Sequence, residues 1–418
     1  LESMRGMRDY VGEEADRLVW IQDTFRRTVR RAGYSEIITP ILESFQLFAK
    51  KGGEELRKTM YTFTDKAGRE VALRPEITPS AVRVFIDRLL PMPKPVRLFY
   101  VGPVYRYDEP QMGRYREFRQ GGVELFGSSS ILADVEVLTL LQEFFDEVGL
   151  RDKVTFKLGN VGILREIMNR NDVPEDVQES TLHLIDKELI DEAVKVLKPY
   201  LPEAILNTLS EVLVSDDQKA RELLAKEELK YVIPHLTYLD ELTRILMDIG
   251  LKLSVEVGFV RGLAYYTGPI FEAKVEGVSV SIAGGGRYDR LVELYGGPQT
   301  PAVGFAVGLE RTLLAIPTSA AQSSPKIVLL FLDRSPDILK YGLKLVGLLR
   351  KAGLLITINL RDEILSKLLS HYGEQQYSHA IIIGRKEVET SKVTIRDLVQ
   401  RTQTTIDASD VIEALRNV

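Results

Sequence analysis

The segment IPTSAAQSSPK, residues 316–326, divides the chain into two stretches with different hydrophobic rhythms. It is small, polar and bracketed by prolines, and it precedes the apolar run IVLLFL, so residues 317–325 read as an interdomain linker. After the linker, strand and helix patterns alternate. Strands are expected at 326–332, 354–360 and 379–384, with helices at 337–352 and near 362–373. The extended runs KVTIRDL and QTTIDA and a short helix from Ser409 complete an α/β domain spanning 326–418.

Before the linker the pattern is different. Leu18, Ile21, Phe25 and Val29 recur at helical spacing within 13–32, and similar patterns occupy 75–90 and 130–148. Between and after them lie strand-like segments: YTFTD, REVALR, VRLFYVGPVYRYD, YREFRQGGVELFG, VTFKLG, GPIFEAKV and VSVSIAGG. Several adjoin across short turns, which implies an antiparallel sheet flanked by helices, an α+β arrangement. Residues 161–250 interrupt these strands with Glu, Lys, Leu and Ala, striped as at Leu182, Ile185, Leu189 and Ala193, and read as a helical insertion. The first domain therefore comprises 1–160 and 251–316.

Composition narrows the chemistry. The chain has no cysteine, which excludes disulfides, thiolate catalysis and cysteine-ligated zinc, and its four scattered histidines make a histidine metal site improbable. No apolar run has the roughly 20 residues of a membrane span, and LESMRGMRDY has no apolar signal core, so a cytoplasmic location is expected. A net charge of −5 argues against indiscriminate nucleic-acid binding while leaving room for a local basic groove.

Such a groove is written into VYRYDEPQMGRYREFRQ, residues 104–120, with its four arginines. With 96–107 and 115–126 as hairpin arms, Arg116, Phe118, Gln120, Gly122 and Glu124 share one face, and Val104 and Arg106 share one on the partner strand. Two readings compete: a solvated face, or a platform offering guanidinium to phosphate and a ring to a planar base. Four other segments bear on the choice. RGLAYYTG at 261–268 sets an arginine before a tyrosine pair, and SIAGGGRYD at 281–289 allows close backbone approach to a ligand. PAVGFAVGLERTLL at 301–314 turns Arg311 away from the Leu309 and Leu313 stripe. LRPEITPSAVR at 73–83 places Glu76 in the first turn of a helix.

Taken together these segments resemble the histidyl-tRNA synthetases, class II aminoacyl-tRNA synthetases, in an archaeal-like form. RGLAYYTG and GGGRYDRLVELYGG resemble histidine-specific signatures, while helix 13–32 leading to Pro40, VYRYDE…GRYREFRQ and GFAVGLER resemble class-wide ones. The resemblance implies an antiparallel catalytic domain with a helical insertion, a C-terminal anticodon-binding domain and a homodimer. It implies a ligase whose substrates are ATP with Mg²⁺, L-histidine and the tRNA for histidine, with no metal held by Cys or His. By position, Arg106 would hold the α-phosphate, Phe118 would stack on adenine, Arg114 would lie near the terminal phosphates and Arg311 would clamp the γ-phosphate. Glu76, Thr78 and Gln120 would receive the ammonium group, and Glu124, Tyr265, Tyr266 and Tyr288 would read the imidazole. Arg261, with Arg106, would neutralise charge at phosphorus as the carboxylate attacks. Arg119 and Ala264 depart from common forms of the family and bear on recognition of the tRNA's first base pair. The nearest rival implied is a regulatory paralogue that binds histidine but charges no tRNA; a second is a non-catalytic RNA-binding module.

Overall fold

The computed structural model describes residues 2–49, 57–111, 113–261, 265–317 and 325–416. Most of the expected linker and Gly262–Ala264 of RGLAYYTG lie outside the described residues. The chain separates into two units, 1–320 and 321–418.

Unit 1 contributes β1 (Ser35–Glu36), β2 (Leu42–Ser44), β3 (Tyr61–Thr64), β4 (Glu70–Leu73), β5 (Val96–Tyr105), β6 (Glu117–Phe126), β7 (Val154–Asn160), β8 (Leu253–Val255), β9 (Pro269–Val275), β10 (Ala283–Arg287) and β11 (Ala302–Gly308). Eight of these form one sheet in the order β1-β5-β6-β11-β10-β9-β7-β8, and β2-β4-β3 form a small antiparallel sheet. Within the large sheet only β1–β5 and β7–β8 pair in parallel. The antiparallel α+β expectation and the structure agree. The sheet's inner face carries Phe99, Val123 and Phe305; Phe25 of helix Gly12–Arg31 packs edge-on against Phe99 and Phe305, and Phe144 of helix Ile131–Glu147 packs edge-on against Phe25 in the same core. Helix Gly12–Arg31 buries Leu18, Ile21, Phe25 and Val29 and leaves its arginines on the other side, the outcome its period demanded.

The opposite face positions the site. Across β5–β6, Val104 opposes Phe118, Gly102 opposes Gln120, Tyr100 opposes Gly122 and Leu98 opposes Glu124. Across β6–β11, Gly308, Ala306 and Gly304 oppose Gln120, Gly122 and Glu124. Gly284 of β10 then lies between Ala306 and Glu272. Phe118, Gln120, Glu124 and Glu272 therefore stand on a floor made largely of glycine, where side chains from outside the sheet can reach the backbone.

The segment 161–250 is helical throughout its regular elements, from Gly162–Arg170 to Ile233–Asp248. Its Leu182–Ala193 stripe is not one helix, however. Glu188 takes φ of 60°, Glu175–Asp186 ends before it, and Leu189 is exposed ahead of Ile190–Leu197. The run VSVSI at 278–282 is a bend rather than a strand, and the strand starts only at Ala283.

Unit 2 contains β12 (Lys326–Phe331), β13 (Leu355–Ile358), β14 (His379–Ile383), β15 (Lys392–Asp397) and β16 (Gln403–Asp407), in the order β13-β12-β14-β15-β16. Alternation works cleanly here. Ile327 and Leu329 join one apolar cluster with helix Pro336–Lys351, and Val328 and Leu330 join another with helix Leu365–Glu374. Helix Arg385–Thr390 was not expected from the sequence. It lacks buried residues, so it has no apolar stripe to reveal it.

Candidate active site

The hairpin face is largely buried. Glu124 is 1% exposed and Gln120 6%, so this part of the face is not the solvated surface that a basic hairpin allows. Beyond the hairpin's mouth, Arg106, Asp108, Gly113, Arg114, Tyr115, Phe118, Gly308, Glu310 and Arg311 line a single cavity. Arg106 donates through Nε to the Pro75 carbonyl at 2.9 Å, and its guanidinium lies 5.3 Å from the Phe118 ring. Arg311 reaches back from helix Leu309–Ala315, donating to the Gly113 carbonyl at 2.9 Å and the Ser281 carbonyl at 2.7 Å. Arg114 is on the exposed loop tip. Arg116 is set apart: it packs its guanidinium 4.1 Å from Tyr107 and donates to the Asp108 carbonyl.

Arg261 is absent from that cavity's wall and stands over β10. It pairs with Glu272 at 3.2 Å and donates to the Phe271 carbonyl at 3.2 Å. It still belongs to the same electrostatic cluster. Burial, followed by the charges of Arg106, Arg114 and Arg261, pushes the Arg311 guanidinium down to about 10 from its ordinary 12.5. Four guanidiniums held against mutual repulsion make a site that a polyanion would relieve.

Beneath Arg261 the chemistry changes from cationic to phenolic. Tyr100 Oη donates to Glu124 Oε1 at 3.1 Å and lies 3.3 Å from Thr78 Oγ1, while Tyr288 donates to Glu124 Oε2. Burial pushes the Glu124 carboxyl up to about 7, against the hydrogen bonds from Tyr288, Thr78 and Tyr100. The Tyr265 ring lies 4.8 Å from that of Tyr266, tilted by 45°, and meets Tyr288 edge-on at 5.7 Å. Burial, then the charge of Glu76, raises the Tyr265 phenol well above its ordinary value. Gln120 accepts the Ile77 N–H at 3.1 Å, which secures the start of helix Thr78–Val84 beside Glu76. A carboxylate acceptor and neutral phenol donors on one wall suit a small heteroaromatic that carries one donor and one acceptor.

A family model described as Histidyl-tRNA synthetase matches residues 6–312, and one described as Anticodon binding domain matches 326–418. The chain belongs to the histidyl-tRNA synthetase family. Among curated relatives, the histidine–tRNA ligase of Sulfolobus acidocaldarius is 48% identical over 421 residues, covering 100% of this chain and 98% of that protein. That of Saccharolobus islandicus is 47% identical over 421 residues, covering 99% of this chain and 98% of its own length. Among solved structures, the apo histidyl-tRNA synthetase of S. aureus superposes with a TM-score of 0.73 at 26% identity, over 100% of both chains.

Tyr100, Arg74 and Arg165 are among the groups at this candidate site that were not singled out from the sequence. Tyr100 links Thr78 to Glu124, and its place opposite Gly122 and two residues from Gly102 was the available signal. Arg74 is buried and donates to the Thr39, Pro40 and Pro103 carbonyls, holding the chain near Pro40 against β5. Arg165 of the insertion donates to the Tyr266 carbonyl at 2.7 Å, so the insertion steadies the tyrosine pair. Tyr265 is also part of the wall of a second cavity of about 380 Å³, shared with Arg165, Glu179, His235 and Arg290.

Proposed function

We infer that this chain is a histidine–tRNA ligase that activates histidine with ATP to histidyl-adenylate and passes it to the 3′ end of its tRNA, releasing pyrophosphate and AMP. The observation that carries the reading is the junction of the arginine cluster with the Glu124–tyrosine pocket, which supports a triphosphate site beside a site for a neutral imidazole. In this reading Phe118 stacks on adenine, Arg106 and Arg261 take up charge developing at the α-phosphorus, and Arg114 and Arg311 hold the outer phosphates. Glu76, Thr78 and Gln120 receive the ammonium group, while Glu124, Tyr265, Tyr266 and Tyr288 receive the ring. Catalysis then rests on positioning and charge neutralisation, with no covalent enzyme intermediate.

Mg²⁺ enters with the triphosphate, whose charge it partly neutralises. Among the described residues no group of three or more His, Cys, Asp or Glu side chains is arranged to hold a metal. Of the two cavity carboxylates, Glu310 already accepts from Arg119, which leaves Asp108 as the available ligand. The helical insertion is assigned to the acceptor arm and unit 2 to the anticodon. Ile38 is 93% exposed, with Ile41 and Leu42 around Pro40 and Phe63 on Leu42's face of the small sheet. These apolar groups support a homodimer through that surface. No described helix is long and apolar enough to cross a membrane, and a cytoplasmic location follows from the reading as a tRNA ligase.

Histidine-dependent ATP–pyrophosphate exchange followed by tRNA charging tests the reading. A ligase performs both, a histidine-binding regulator performs neither, and exchange without charging would restrict the function to activation. Arg261→Lys should lower exchange by on the order of 100-fold, because an ammonium lacks the planar fork; exchange at the parent rate would remove Arg261 from the reaction.

A further inference from the structure

Alternation along β6 sends Arg119 to the face opposite Phe118 and Gln120. There it meets Glu310, the residue before Arg311. Glu310 is 3% exposed; it accepts the Arg119 backbone N–H at 2.8 Å and the Arg119 guanidinium at 3.1 Å. The same Glu310 forms part of the wall of the cavity that holds Arg106, Arg114 and Arg311. A carboxylate is the wrong charge for a triphosphate site unless something cancels it. Arg119 is the cation that faces it from β6, with Tyr10 beside the pair: the Arg119 guanidinium lies 5.7 Å from the Tyr10 ring and that of Arg8 lies 5.1 Å from it. Among the described residues, the other charged or titratable groups lining that cavity are Arg106, Asp108, Arg114 and Tyr115 from the hairpin and Arg311 from the helix of Glu310, while Arg8, Asp9, Tyr10 and Glu117 line a separate cavity with Arg119. Burial raises the Glu310 carboxyl, opposed by its bonds to Arg119, so its charge state depends on that partner.

We propose that Arg119 is a positioning residue for ATP: its guanidinium neutralises Glu310 and pins the start of helix Leu309–Ala315, so that Arg311 faces the nucleotide without the charge of Glu310 opposing it. This rests on the ATP reading of the cavity. Without the Arg119 guanidinium, Glu310 is neutral at low pH and at high pH an anion that keeps the backbone N–H of residue 119 but loses its charge partner, so the defect in ATP binding grows as pH rises.

Pyrophosphate exchange at about pH 6 and about pH 8.5 decides the matter, with KM measured for each substrate. Arg119→Leu should raise KM for ATP by on the order of tenfold at the higher pH and by much less at the lower, with KM for histidine nearly unchanged. Arg119→Lys should show little pH dependence, and Glu310→Gln added to Arg119→Leu should recover most of the loss. Should Arg119→Leu fail to fold, Arg119→Gln carries the same comparison. A rise in KM for ATP that is flat with pH, an equal rise in both KM values, or a double variant no better than the single one overturns the proposal. Arg311→Leu is the separate control: an unchanged KM for ATP there overturns the ATP reading of the cavity itself.

Discussion

A methyl group on Gly284 would fall within the Arg261 guanidinium, so the first glycine of GGGR is a space reserved for an arginine. Gly284→Ala should therefore act as a displaced Arg261, lowering kcat for adenylate formation by on the order of 100-fold. A circular dichroism spectrum and histidine affinity close to the parent's would accompany that loss; full activity would show that Arg261 works from elsewhere. Glu124 gives a prediction of opposite sign for stability and function. Its carboxyl holds a proton to about 7 in the folded chain, against an ordinary value of 4.5. The protonated form thus stabilises the fold at low pH, and this contribution is lost as pH rises from the unfolded value through the folded one. Glu124→Gln should consequently gain about 2 kcal/mol on the parent between pH 5 and pH 8, read as a widening Tm difference, while losing histidine-dependent exchange. A Tm difference that does not change with pH would mean that Glu124 ionises freely. Arg106, Phe118, Glu124 and Arg311 could be picked out of the sequence because strand alternation and helical angle assign each a face. Glu310 could not, because its partner arrives from another strand, and for Tyr100 the glycines around it were only an indirect signal, since its partner Glu124 lies on the next strand.

Elements are joined by one buried ion pair that the sequence concealed. Arg287, which follows the three glycines, pairs with Asp134 of helix Ile131–Glu147, and Tyr238 of helix Ile233–Asp248 donates to the same carboxylate at 2.7 Å. A strand of the large sheet, its supporting helix and the helical segment 161–250 thus meet at a site 2% exposed at Asp134. Arg287→Leu leaves Asp134 charged and unpaired, and should cost about 3–5 kcal/mol. Adding Asp134→Leu should recover much of this, less about 1 kcal/mol for the stranded Tyr238 hydroxyl. Urea denaturation of the two variants measures the difference; equal losses would show that the pair is only a packing contact. Sequence rhythm reads elements well where a single face is buried, as in Gly12–Arg31 or the alternating β12. It joins Leu182 to Ala193 wrongly because a turn at Glu188 happens to preserve apolar spacing. It is silent on Arg385–Thr390, which buries no residue.

At the scale of the molecule, the two units close their cores separately. Unit 2 wraps both faces of its sheet with its own helices, so each inward side chain of β12 and β14 finds a partner within residues 326–416. The core of unit 1 ends at Ile316, immediately before the boundary that the small polar run suggested. Every residue to which the proposed function gives ATP or histidine precedes 317, so that proposal puts activation wholly in unit 1. A chain ending at Pro317 should therefore retain exchange within about threefold of the parent, a difference of less than 1 kcal/mol in the barrier. Charging should fall far more, through kcat/KM for tRNA, because the contacts assigned to the anticodon are removed while those to ATP and histidine remain. Residues 325–416 alone should fold and bind the same tRNA weakly, with an affinity that decreases as salt rises. Loss of exchange in the shortened chain would mean that unit 2 supports the catalytic fold, and would turn a two-part division of labour into a single cooperative structure.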